Sequence, residues 1–203
     1  MILAFDTSSA ACTAALFEDG RCIARADEEI GRGHAERLVP MLDELLAGRR
    51  PDRIIVGVGP GSFTGIRVAI AAAQGLAIGW NCDIAGMSSL ALIAAGVAGE
   101  VAVAVSGGHG ELFVQQYDEQ LRPLTDLHNA APADAATLVD AELVIGSGAA
   151  ALISARGSGE ARSGWPAAAN AMRLPEALRS LPPKPIYARA PDARAATTTK
   201  VAA

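Results

Sequence analysis

The sequence predicts an α/β protein made of two strand-led halves, and three observations carry that reading. Residues 2–5, 11–17 and 21–27 are short apolar runs joined by tight turns, the pattern of an antiparallel meander. Beyond them the apolar spacing becomes helical, and helix and strand alternate to about residue 98. A second meander then opens at 101–105, 112–118 and 122–128, so the chain reads as a degraded duplication of one unit.

The elements follow in order. Asp19-Gly20 is a two-residue hairpin turn, which sets Phe17 opposite Cys22 and Cys12 opposite Asp27. In "GRGHAERLVPMLDELLAG", Leu38, Met41, Leu42, Leu45 and Leu46 fall at i, i+3, i+4, i+7 and i+8, one apolar stripe of a helix. Gly48 suits its C-terminal cap, and Pro40 predicts a kink or a start inside it. A buried strand at 54–58 leads through a loop at 59–63 into a helix from about 64 to 79. Ala69, Ala73 and Ala77 lie on one face of that helix, with Ile66, Ile70 and Ile78 nearby. A short strand at 84–86 precedes a helix over "LALIAAGVA", capped by Ser88 or Ser89. Gly96 to Glu100 reads as a hinge. The second half adds a helix at 132–139, a strand at 142–145, a loop at 146–148, a loop-rich stretch at 155–170 and a helix over 167–179 interrupted at Pro175. The tail "ARAATTTKVAA" offers nothing to pack and is expected to be disordered.

Bulk composition narrows the function. In 203 residues, 51% are hydrophobic and 19% charged, which excludes a disordered chain. The net charge of -5 argues against direct gripping of RNA or DNA, because phosphate neutralisation needs a basic stripe. The basic cluster "RRPDR" (49–53) is broken by Pro51 and Asp52 and reads as a solvated loop. Cys12, Cys22 and Cys82 form neither a metal-ligand spacing nor an even disulfide set, which points to the reducing cytosol. The first residues lack a basic start and meet Asp6 early, so no targeting segment is expected. Arg67 and Gln74 interrupt the alanine-rich run near residue 70, and no membrane span is expected there.

The chemistry-bearing candidates are loops. In "GVGPGSFTGIR", Gly59 and Gly61 permit an unusual backbone, Pro60 stiffens it, and Ser62 or Thr64 can cap the next helix. Free N–H groups at such a helix start suit an anion, although a plain strand-to-helix turn needs the same residues. No P-loop lysine follows, and the dinucleotide-binding spacing is absent. The hairpin turns "DTSS" and "SGGHG" occupy matching places in the two halves, as the phosphate-holding turns of actin-like and sugar-kinase folds do. Asp6, Thr7, Ser8, Gly59, Gly61, Ser62, Ser106, Gly107, Gly108 and His109 are therefore the candidate anion-binding residues. Asp6 at a strand end is either a metal or base carboxylate or a buried turn residue. His34, His109 and His128 share no spacing suited to one metal; His34 reads as a cap or surface residue, and His109 is exposed by its glycines. No catalytic residue and no metal site are assigned.

Taken together, "ILAFDTSSAACTAAL", "GHAERLVPMLDELL" and above all "GVGPGSFTGIRVAIAAAQGLA" resemble the bacterial TsaB (YeaZ) family. "DIAGMSSLALIA", "GSGA" and "PIYARAPDA" add to the likeness, which is nearly continuous over the first hundred residues and patchy after them. The resemblance implies the two-lobed actin-like/Hsp70 (ASKHA) fold with a shortened second lobe: 1–97, then a degenerate lobe at 98–192, then a disordered tail at 193–203. It implies a non-catalytic, cytoplasmic subunit that binds the catalytic relative TsaD for threonylcarbamoyl transfer to tRNA adenosine. Where TsaD carries two metal-binding histidines, this chain reads Ser88, Ser89, Leu90 and Ala91. The TsaE ATPase is the expected further partner, with a homodimer when alone and tRNA met only indirectly. No cofactor is expected, with ATP or ADP at a subunit interface as the alternative. The implied partner surface is the helix pair, through His34, Leu38, Met41, Leu42, Leu45, Ile66, Ile70, Ala73 and Ala77. "VSGGHGEL" departs from the family's Asp-Ala-Arg type segment and is similar to "SGGHT" of TsaD, which keeps an adenylate-sized anion site around Ser106–His109 in view. The rival functions are an active ASKHA transferase or kinase, and a peptidase acting on its partner.

Overall fold

A computed structural model describes residues 1–187. The expected tail at 193–203 and residues 188–192 of the expected second lobe lie outside the described residues. In the first half, β1 (Ile2–Asp6), β2 (Ala11–Glu18) and β3 (Arg21–Glu29) form the meander, followed by α1 (His34–Leu46), β4 (Arg53–Gly57), α2 (Phe63–Trp80), β5 (Asp83–Met87) and α3 (Ser89–Ala94). In the second half, β6 (Val101–Gly108), β7 (Glu111–Tyr117) and β8 (His128–Ala130) lead to α4 (Pro132–Leu138), β9 (Leu143–Ile145), α5 (Ala149–Arg156) and β10 (Glu160–Arg162). The first sheet runs β3-β2-β1-β4-β5 and the second β8-β7-β6-β9-β10. Each is an antiparallel meander extended by parallel strands on the side of its first strand. Identical order and sense in both halves is the duplication the sequence suggested, and the fold is the two-lobed actin-like one. The second sheet is the reduced copy, since β8, β9 and β10 have three residues each.

Alternation along the strands sorts the core into layers. Leu3 and Phe5 of β1 face α1 and α2, while Ala4 faces the other way. Ala4, Ala15 and Ile55 of the first sheet share one apolar cluster with Val101, Val103 and Val105 of the second, and the wholly buried α3 lies in that cluster. On the far side, Ala102, Ala104 and Val144 pack under α4 and α5. After β10 the chain returns to the first lobe. A 3-10 helix (Ala168–Arg173) packs against the β1–β2 hairpin, and the Ala168 amide donates to Thr13 Oγ1 at 2.9 Å. Past α6 (Glu176–Arg179), Leu181 pairs with Gly86 beside β5, and the Ile186 amide donates to the Val58 carbonyl at 2.8 Å. Those residues fall in the expected second lobe by sequence, yet they pack on the first.

Four expectations change. Phe17 does face Cys22, but a bulge between Leu16 and Phe17 shifts the rest of the ladder, so Cys12 faces Glu28 instead of Asp27. Residues 122–127 are not a strand. The Asp118 carboxylate takes the amides of Gln120 and Arg122 into a turn, Leu121 is left-handed, Pro123 makes only an isolated bridge to Tyr117, and the strand is confined to 128–130. Helix α1 runs unbroken through Pro40. Pro40 and Glu36, whose carbonyl loses its helical donor, both lie on the exposed face, where water replaces the missing bond.

The fourth change concerns the proposed partner surface. His34, Leu38, Met41, Leu42, Leu45, Ile66, Ile70, Ala73 and Ala77 are all buried, and the apolar ones form a single cluster with β1, β2 and β4. The stripe at helical spacing is the inward face that a lone subunit must cover, so these residues are core and not interface. Helix α2 is also the one helix among the described residues that is long and apolar enough to cross a membrane. It serves here as the crossover between the parallel strands β4 and β5, with its inner face packed on the sheet. Ala73→Glu is predicted to lose on the order of 3 kcal/mol or more, because Ala73 is fully buried and no cation faces it in the apolar cluster. Urea denaturation followed by circular dichroism measures it; a fully stable Ala73→Glu chain would contradict this packing.

Candidate functional site

Asp6 ends β1 on the side that faces the second lobe, and it is completely buried. Its Oδ1 accepts the amide and the hydroxyl of Ser8, each at 2.7 Å, and its Oδ2 accepts the Ser89 hydroxyl at 2.5 Å. Ser89 Oγ accepts the Gly59 amide at 3.0 Å, and the Ser89 amide donates to the Gly59 carbonyl at 3.0 Å. A carboxylate thus ties the hairpin turn, the glycine loop and the start of α3 into one knot. Burial lifts the Asp6 carboxyl above its usual range; the hydroxyls of Ser89 and Ser8, the Ser8 amide and the charge of His34 pull it back.

The glycines of the loop serve this knot by letting two backbones touch. A Cβ on Gly57 would sit 1.8 Å from Asp6 Oδ2, one on Gly61 would sit 2.2 Å from the Ser8 carbonyl, and one on Gly65 would sit 1.9 Å from the Thr7 carbonyl. Hydrogen bonds close the same contact, since the Ser62 amide donates to the Ser8 carbonyl at 2.6 Å and Thr7 Oγ1 donates to the Gly65 carbonyl at 2.7 Å. The amides of Gly59 and Ser62, which an anion would use in a phosphate loop, are therefore already engaged within the protein. Ser62 caps α2 and accepts the Gly65 amide at 3.2 Å.

Above the knot lies a cleft of about 260 Å³ between the lobes, whose lining includes Ser8, Ser9, Ser62, Ser106, Ser147 and Trp165. The structure brings three of the expected anion residues, Ser8, Ser62 and Ser106, to this cleft, and it buries Asp6 and Thr7 beneath it. The second-lobe candidates are divided. Ser106 donates its amide to Ser147 Oγ at 3.1 Å, while Gly107 packs near Asn129 and Phe113. Gly108 and His109 are exposed at the tip of the β6–β7 hairpin, where His109 and Gly110 both adopt positive φ (53° and 79°). This turn has two residues where the first lobe's, between Asp6 and Ala11, has four, so the two hairpin turns are not equivalent. Among the described residues no group of three or more His, Cys, Asp or Glu is placed to hold a metal.

Ser89, Ser147 and Trp165 were not among the sequence candidates. Ser147 was legible in principle, because the loop after β9 is the counterpart of the loop after β4: a Cβ on Gly146 would sit 2.2 Å from the Ala104 carbonyl, the same kind of close approach. Trp165 had no signal, since it enters the cleft only through the return of the chain to the first lobe.

On the opposite side of the first sheet, α1 and α2 present a different surface. Only 28% of α2 is buried, and Ile78 is 83% exposed and Val39 of α1 58% exposed. Ala71, Gly75 and Gly79 lie one helical turn apart on the outer face, and among the described residues no neighbouring atom lies within 4 Å of a Cβ added to either glycine. At the start of the same helix the Arg67 guanidinium stacks 3.6 Å from the Phe63 ring centroid, and its Nε donates to the Tyr187 hydroxyl at 3.1 Å.

A family model for TsaD, tRNA N6-adenosine threonylcarbamoyltransferase, matches residues 27–175. The Escherichia coli "tRNA threonylcarbamoyladenosine biosynthesis protein TsaB" is 36% identical over 126 residues, 57% of this chain and 54% of that protein. The Haemophilus influenzae protein of the same name is 41% identical over 98 residues, 46% of this chain and 41% of its own. The matched region thus spans about half the length of these curated relatives. A crystal structure described as an uncharacterized protein with similarity to peptidase YEAZ, from Pseudomonas aeruginosa, superposes with a TM-score of 0.80 at 31% identity, covering 93% of this chain and 99% of that one.

Because burial raises the Asp6 carboxyl above 3.8, the folded state holds that proton more tightly than the unfolded state does. Ionisation of Asp6 therefore costs stability as pH rises from about 3.8 through its folded value, and nothing further beyond it. Measured by urea midpoints between pH 4 and 7, the wild-type chain is predicted to lose ground relative to Asp6→Asn across that window. A constant or widening wild-type advantage would mean that the three hydrogen bonds outweigh burial.

Proposed function

The chain belongs to the TsaB/YeaZ family, and on that footing we propose that it is a non-catalytic subunit of the machinery that attaches threonylcarbamoyl to tRNA adenosine. Its task is to bind a TsaD-type transferase and hold it in a productive shape, in the cytoplasm, leaving most of the tRNA contact to its partners. A TsaE-type ATPase joins the assembly, and the same surface pairs two copies when the transferase is absent.

One observation carries this reading: the outer face of α2 is largely apolar and uncovered by the described residues. A glycine inside a helix costs about 1 kcal/mol relative to alanine, and neither Gly75 nor Gly79 has a neighbour among the described residues that would exclude a Cβ. Their use lies outside the subunit, where small residues let the backbone of a second helix approach closely. Val39, Ala71, Ile78 and the half-buried Val68, Ala72 and Leu76 extend the apolar strip along α1 and α2. Phe63, Arg67 and Tyr187 add at its end the residue types that anchor interfaces. The docking surface is thus on the same two helices that the family resemblance implied, but on their outward side.

The knot under the cleft supports the non-catalytic part. Asp6 is sealed from solvent and its oxygens are engaged, so it presents no carboxylate for a metal or for base work. Ser106 has no histidine or carboxylate hydrogen-bonded to it among the described residues, which disfavours the peptidase reading.

Gly75 separates the roles cleanly. Gly75→Ala is predicted to raise stability by about 0.5–1 kcal/mol, and Gly75→Leu to leave the fold intact while removing co-purification with the TsaD-type enzyme of the same organism. Retention of the complex by Gly75→Leu would move the interface elsewhere. ATP consumption by the purified chain alone would favour the active-enzyme reading instead.

A further inference from the structure

Helix α2 carries a single charged side chain, Arg67, near its start. Phe63, Arg67, Ala71, Gly75 and Gly79 are spaced by four, so the cation stands in the same exposed row as the two glycines. Its guanidinium is held in place before anything docks. It lies 3.6 Å from the Phe63 ring centroid and 5.8 Å from that of Tyr187, and its Nε donates to the Tyr187 hydroxyl at 3.1 Å. Tyr187 is anchored in turn, because the amide of Ile186 beside it donates to the Val58 carbonyl. Nη1 and Nη2 of Arg67 make no hydrogen bond or ion pair among the described residues. We propose that Arg67 is the ionic anchor of the docking surface: its guanidinium receives, two nitrogens to two oxygens, an Asp or Glu carboxylate on the helix that a TsaD-type transferase lays along α2.

This anchor rests on the docking reading above and adds the chemistry that the partner must present. A helix packed closely along Ala71, Gly75 and Gly79 takes water away from the end of the row where Arg67 stands. A cation stripped of water and left unpaired is strongly unfavourable, so whatever covers α2 must bring a countercharge. The chain itself supplies none among the described residues. On the neighbouring α1, Glu44 pairs with Arg37, and neither Glu36 nor Asp43 pairs with Arg67. Planarity selects a carboxylate over a single acceptor. With Nε committed to Tyr187, the two terminal nitrogens present a flat fork that matches a pair of carboxylate oxygens. Position favours the same charge, since the first turns of α2 hold the positive end of the helix dipole. Stacking has already removed much of the side chain's freedom, so little ordering is left to oppose binding.

Calorimetry of the full chain with the TsaD-type transferase of the same organism tests the anchor. Arg67 is exposed, so its substitutions are expected to leave the circular dichroism unchanged. Arg67→Gln is expected to weaken the complex about tenfold or more, and to flatten its salt dependence between about 0.05 and 0.5 M. Arg67→Lys, which keeps the charge and loses the fork, is expected to fall between the two; full wild-type affinity in Arg67→Lys would overturn the two-pronged pairing. Arg67→Glu is expected to abolish the complex, and reversal of one Asp or Glu of the transferase to Arg to restore it. Rescue by no such reversal would overturn the proposal. Gly75→Leu separates the anchor from the docking reading. Loss of the complex in Gly75→Leu, with Arg67→Gln binding as wild type does, would overturn the anchor and leave the docking surface standing. A complex that survives both changes would overturn the docking reading and the anchor together.

Discussion

A single buried carboxylate organises the junction of the first hairpin turn, the glycine loop and the start of α3. Asp6 has no exposure, so its charge must be met by protein donors, and three arrive from Ser8 and Ser89. Meeting that demand fixes the hairpin turn against the glycine loop, and the loop against the first turn of α3. Gly61 and Gly65 are required because the segments touch at backbone distance, and Gly57 because the Asp6 carboxylate lies against it. The loop keeps the outline of an anion cradle while spending its Gly59 and Ser62 amides on its own neighbours.

The layered core follows from the same arrangement. With α3 anchored by Ser89, its apolar residues fill the space between the two sheets and merge both lobes into one hydrophobic cluster. The returning segment from Ala168 to Ile186 then crosses from the second lobe to the first, bonding Thr13, Gly86 and Val58. On the far side of the first sheet, α1 and α2 leave apolar and glycine-rich surface uncovered among the described residues.

Much of this was legible in the sequence, and the failures have physical causes. The order of elements in the first half follows from period-2 and helical spacing, and the repeat of the meander revealed the duplicated topology. The stripe from Leu38 to Leu46 was seen, but its side was misassigned to a partner: periodicity identifies an apolar face and is silent on what covers it. The residue set opposite the stripe carries a separate signal, above all Gly75 and Gly79, whose cost has no return among the described residues. The glycine loop was ambiguous for a related reason, since close backbone approach and phosphate binding select the same residues. Ser89 and Trp165 were illegible because their roles depend on contacts across 83 residues and on the return of the chain to the first lobe.

Hydrogen–deuterium exchange of the chain, alone and with a TsaD-type transferase, tests the central claim most directly. The account predicts new protection over α2, residues 63–80, and the exposed face of α1, with the segments lining the interlobe cleft unchanged. Protection confined to the cleft around Ser8, Ser106, Ser147 and Trp165, with α2 exchanging as in the free chain, would contradict it.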